Sequence, residues 1–106
     1  MEPKKFTKKP VEIEAMRFGP GGIEQSEVLK WIEANGGELY VYGCSVQKAD
    51  EPFPDGSFWQ WVWGSVETIE GSMKALAGDI IIRGVAGEFY PVKPEIFAET
   101  YEEVSE

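Results

Sequence analysis

Apolar and polar positions alternate from Pro10 to Phe18: Val11, Ile13, Ala15 and Arg17 point one way, Glu12, Glu14, Met16 and Phe18 the other. A period of two is that of a strand with one dry face. Gly19-Pro20-Gly21-Gly22 ends it, because glycine and proline punctuate a ladder. The period then lengthens. Val28, Leu29, Trp31 and Ile32 recur at helical spacing behind Ser26, an N-cap residue, with Glu27 in the first turn and Asn35-Gly36-Gly37 as a C-cap. The spacing predicts a helix over about 26–35.

The rest of the chain reads as short strands and tight turns. Leu39 to Val46, Phe58 to Trp63 and Val66 to Glu70 are rich in β-formers, and Gly64-Ser65 has the length of a two-residue hairpin link between the last two. Gln47 to Ser57, with two prolines and Asp55-Gly56, reads as a loop. Met73 to Leu76 continues the ladder, Ala77-Gly78-Asp79 turns, and Ile80-Ile81-Ile82-Arg83 is an apolar run suited to a strand covered on both faces, with Ile81 deeply buried. After a turn at Val85-Ala86-Gly87 comes a strand over Glu88 to Val92, then a short helical turn from Pro94 to Phe97. Thr100 to Val104 alternates again and is expected to pair antiparallel with Val11 to Ala15. The expected fold is α+β: a small, curled, mostly antiparallel sheet of about seven short strands with one main helix across it. Residues 10–106 form one domain, and residues 1–9 a basic, flexible tail.

Charge sharpens this picture. The net charge is −9, but residues 1–9 hold four Lys against Glu2, a local +3, which leaves −12 on the remaining residues. Such a body repels phosphates, so direct nucleic-acid binding is not expected. A protein partner with a basic surface is favoured, and acidity for solubility alone is the plainer reading. No apolar run is long enough for a membrane helix, and the basic start leads into Pro10 and alternating residues, unlike a secretory signal. With Cys44 as the only cysteine, no internal disulfide can form, so a cytoplasmic protein is expected.

Candidate chemistry is sparse. The chain contains no histidine, which removes Ser-His-Asp and Cys-His catalysis and histidine-metal sites. Cys44 lies in a β-rich run without a neighbouring base and is expected to be a buried, inert thiol. Asp79 and Glu88 bracket the Ile80–Arg83 strand and could pair or hold a cation, but Asp after Gly78 is also what a turn uses. Asp50, Glu51 and Asp55 lie close in sequence without the spacing of a calcium loop. The expectation is a protein with no catalytic activity, no metal and no cofactor.

The sharpest local feature is Trp59, Trp61 and Trp63, which alternate on one strand and so are expected to share a face. The face is either core, with Trp31 of the helix packed on it, or in part an exposed edge. With the acidic loop residues Asp50, Glu51 and Asp55 as a charged rim, it has the make-up of a binding hot spot. A second copy of the chain, making a homodimer, is an alternative cover for it.

The stretch Ala77-Gly78-Asp79-Ile80-Ile81-Ile82-Arg83-Gly84-Val85-Ala86-Gly87-Glu88-Phe89-Tyr90-Pro91-Val92-Lys93-Pro94-Glu95-Ile96-Phe97-Ala98-Glu99-Thr100-Tyr101-Glu102 resembles a signature of a widespread group of small bacteriophage and prophage accessory proteins. The opening Lys8-Lys9-Pro10-Val11-Glu12-Ile13-Glu14-Ala15 and the turn at Glu70-Gly71 are similar to theirs, whereas residues 38–63 are particular to this chain. The group has no settled activity, so the resemblance carries over no catalytic residue. It implies action inside a bacterium, in the host cytoplasm, by binding a host or phage protein, with inhibition of a host defence or regulatory system as one outcome. A module sequestering a nucleotide signal or a sugar between aromatic faces is the alternative reading, and a minor virion component a third.

Overall fold

Two three-stranded antiparallel sheets and two helices make up the computed structural model, which describes residues 2–7, 9–48 and 57–104. In chain order the elements are β1 (Glu14–Arg17), α1 (Gly22–Ala34), β2 (Leu39–Lys48), β3 (Ser57–Thr68), β4 (Gly71–Leu76), β5 (Ile80–Arg83), β6 (Phe89–Val92) and α2 (Pro94–Thr100). The first sheet has the order β1-β5-β6 and the second β2-β3-β4. The α+β class is as the pattern predicts. The β-structure is divided between two sheets and comprises six strands among the described residues, close to the expected seven.

Two departures account for the strand count. Gly64-Ser65 is not a hairpin: β3 runs through it, and the turn falls at Ile69-Glu70, where Thr68 pairs with Gly71. Gly64 is in the strand for close approach, since a Cβ there would lie 2.8 Å from Leu39 Cδ1 and 3.4 Å from Phe18 Cζ. The predicted closing strand over 100–104 does not form either. α2 extends through Thr100, residues 101–104 have no regular structure, and β1 pairs instead with β5, Met16 opposite Ile81. β5 supplies the continuous apolar partner that a strand at the sheet edge needs, and Pro94 at the helix start commits the C-terminal stretch to α2.

α1 begins four residues before the predicted start. Gly21, in extended conformation, is the N-cap, and Ser26 lies inside the helix. Its C-terminus follows the sequence. Gly37 N–H donates to Ile32 C=O (2.9 Å) and Gly36 N–H to Glu33 C=O (3.2 Å), the paired bonds of a Schellman motif.

One core joins the two sheets and α1. Phe18, Val28, Ile32, Leu39, Val66, Ala75, Ile81 and Phe89 are buried together, so α1 and each of β2 to β6 place at least one side chain in it. Ile81 is fully buried, as its position in the apolar run predicts. Trp31 packs edge-on against Phe89, with centroids 5.2 Å apart, rather than on the tryptophans of β3. By the pairing register Ile80 and Ile82 point to the opposite face of the first sheet, where Phe97 and Tyr101 of the C-terminal stretch lie beside Ile80. Ile82 is fully buried there, so β5 is covered on both sides.

Candidate functional site

The three tryptophans divide between two environments. Alternation along β3 puts Val66 and Gly64 on the core side, with Leu39 and Ala75 buried beside them. Trp63 therefore faces outward. Continued unbroken, the same alternation would bury Val62, yet Val62 is 48% exposed and Trp61 packs against the core. The pleat changes sense opposite Gly43, which adopts φ +65° in the paired strand. Trp59 and Trp61 consequently turn toward α1 and meet edge to face, 4.9 Å between centroids. The Trp59 indole lies so close against Gly22 that a Cβ there would approach it to 2.1 Å. All three indoles are half-buried. The shared face that strict alternation predicts is thus replaced by an inward pair and one outward ring, because a residue in the left-handed region reverses the period.

Outward, Trp63 is the middle of a row that crosses the second sheet. Tyr42 is opposite it on β2 and Leu76 on β4. Tyr42 and Trp63 stack at 4.4 Å with 24° between their planes, and Lys74 Nζ lies 4.8 Å from the Trp63 ring centroid. Tyr42 is 44% exposed and Leu76 42%; Tyr40 on the same face is also exposed. An antiparallel sheet with a solvated face ordinarily turns polar residues to water. Here the centre of that face is aromatic and aliphatic. Its border is acidic: Glu38 accepts a hydrogen bond from the Tyr40 hydroxyl (2.8 Å), and Glu67 accepts one from Ser72. The Glu38 carboxylate, through that bond and its charge, raises the Tyr40 pKa above the usual phenol value.

Asp50, Glu51 and Asp55 lie outside the described residues. Cys44 is exposed rather than buried, on β2 opposite Trp61. Asp79 is buried, and its carboxylate accepts the Leu76 N–H (2.9 Å) and pairs with Lys93 (3.2 Å). Glu88 turns to its own hairpin and accepts the Ala86 N–H (3.2 Å). The two carboxylates thus serve separate turns. Among the described residues no cluster of three Cys, Asp or Glu is placed to hold a metal ion, and no helix is long and apolar enough to cross a membrane. Sequence reasoning missed Tyr42 and Leu76, since their meeting with Trp63 depends on a strand register that one-dimensional spacing does not contain. No protein-family model, no curated protein and no solved structure matches the chain.

Proposed function

We propose that this protein is a non-catalytic binding module that docks the outward face of β2-β3-β4 on another protein. The observation that carries this reading is the row Tyr42–Trp63–Leu76, which keeps three large side chains at a solvated sheet face where burial on a partner would be favourable. An aromatic centre bordered by Glu38 and Glu67, on a chain of net charge −9, suits a partner with an apolar patch inside a basic rim. The resemblance of residues 8–15 and 77–102 to small phage accessory proteins supports a partner among bacterial host or phage proteins, whose surface the module would occupy and thereby inhibit.

The test is affinity capture from bacterial lysate with the wild-type chain and with Trp63→Ala, followed by titration of the captured protein. Trp63→Ala should weaken the complex by about 2 kcal/mol or more, the range of a central aromatic anchor, and raised salt should weaken it further. A capture profile and affinity indifferent to Trp63→Ala, with the fold intact, would refute the reading. Calorimetric binding of a nucleotide or sugar that Trp63→Ala abolishes would replace it with the small-ligand alternative.

A further inference from the structure

The first sheet carries a second unfilled feature, on the side away from the common core. A groove of about 460 Å³ runs between β1 with the residues before it and α2 with residues 101–104. Ala15, Ile80 and Phe97 give it an apolar floor, and Glu12, Glu102 and Glu103 stand at its borders against the single cation Arg17. Apolar within and negative at the rim, it suits a short basic segment with one large apolar side chain.

The chain itself contains such a segment. Residues 1–9 carry four lysines and one glutamate, and Phe6 is their one aromatic side chain. Phe6 is 90% exposed, its ring almost wholly in water. The segment leaves the domain at a γ-turn around Pro10, closed by the Val11 N–H to Lys9 C=O bond at 2.9 Å. Because Val11 is itself a groove wall, Phe6 could enter its own groove only by reversing within the four intervening residues. The chain does bend at Pro10, yet Phe6 is not among the side chains lining its own groove and stays in water. A second copy is under no such constraint. We infer that the groove receives the N-terminal segment of a second copy of this chain, with Phe6 on the apolar floor and the lysines along the acidic rim. The exchange is reciprocal, each chain giving a segment and a groove, as a twofold dimer requires.

Sedimentation equilibrium of the full chain tests this, together with isotope-filtered NMR on an equal mixture of labelled and unlabelled protein. The expected result is a concentration-dependent dimer with contacts between the Phe6 ring of one copy and Ile80 of the other. Phe6→Ala should weaken the dimer about tenfold or more, the consequence of losing one buried aromatic ring, and its exposure in the single chain means that the fold survives. The double substitution Glu102→Lys and Glu103→Lys should weaken it as well, and adding Lys4→Glu and Lys5→Glu should restore it. Trp63→Ala should leave it unchanged, which separates this dimer from docking at the outward face of the second sheet. A chain that stays monomeric to about 1 mM, a dimer indifferent to Phe6→Ala, or Phe6–Ile80 contacts found only within one copy would each overturn the inference. So would a lysine-rich peptide of another protein filling the groove without any self-association.

Discussion

The side-chain amide of Gln25 occupies the place of a neighbouring strand beside Trp61: its Nε2 donates to the Trp61 carbonyl (3.0 Å) and its Oε1 accepts the Trp61 N–H (2.6 Å). The need arises from the register. β4 reaches only as far as Leu76, opposite Trp63, so beyond that point the edge of β3 has no strand to pair with. A primary amide has two N–H donors and a carbonyl acceptor, and one N–H with the oxygen matches the pair that an adjacent backbone would present. Gln25 is fully buried, and its position on α1 thereby fixes where the helix crosses the second sheet.

Gln25→Leu keeps the volume and removes both partners. The Trp61 N–H and C=O then remain unpaired at a part-buried site, at a cost of about 1–3 kcal/mol for each group left unsatisfied. Urea denaturation should show a loss of at least about 2 kcal/mol. An unchanged midpoint would mean that water replaces the amide and that this edge is open.

Gly22→Ala tests the same contact between α1 and β3 from the opposite direction. Alanine favours a helix by about 1 kcal/mol over glycine, so an exposed site would be stabilised. At Gly22 the new methyl overlaps the Trp59 ring. The indole has to move, and overpacking of this kind costs about 1–3 kcal/mol. The expected result is a lower melting temperature together with a red-shifted tryptophan emission. A stabilised variant with unchanged emission would show that Trp59 does not rest on the helix.

Asp79 and Lys93 form an unequal pair. The Asp79 side chain is 7% exposed and that of Lys93 46%, and the carboxylate also accepts the Leu76 N–H in the turn between β4 and β5. Asp79→Ala should therefore cost about 1–3 kcal/mol by orphaning that amide. Lys93→Met should cost less, near the ~1 kcal/mol ceiling of exposed pairs, since water reaches the ammonium. Thermal melts of the two variants decide the order. A larger loss for Lys93→Met would make the ion pair, rather than the turn hydrogen bond, the main contribution.

Much of this architecture is legible one residue at a time. Val28 and Ile32 mark the buried stripe of α1, Asn35-Gly36-Gly37 its end, and Ile80–Arg83 the doubly covered strand. Where the reading departs, a contact that spacing along the chain does not show outweighs the local pattern. Gly64-Ser65 has the composition of a turn, but Leu39 and Phe18 need the space above Gly64, and the strand continues. Thr100 to Val104 alternates, yet α2 claims Thr100, whose hydroxyl donates to the Ile96 carbonyl (2.8 Å). The outward row is the hardest part to foresee. Trp63 is plain in the sequence, but its partners Tyr42 and Leu76 stand 21 residues before it and 13 after, and only the two pairings set them side by side.

Tyr90 gives the fold an alkaline limit. Burial, and then its hydrogen bond with Tyr101, push its pKa up from 10.0 to about 12, with the Tyr101 and Glu88 charges acting in the same direction. The folded chain therefore holds the phenol proton more tightly than the unfolded chain does. Its contribution to stability is fully present below pH 10.0 and is lost as the pH rises toward about 12. Over that window the urea midpoint should fall, and Tyr90→Phe, which has no proton to lose, should flatten the decline. Tyr40 provides the control. Its pKa is also raised, by Glu38, but the ring is exposed and the interaction is screened by solvent, so Tyr40→Phe should leave the slope nearly unchanged. A wild-type profile that is level from pH 10 to 12, or one that Tyr90→Phe does not alter, would show that the bond between Tyr90 and Tyr101 does not hold the C-terminal stretch against the first sheet.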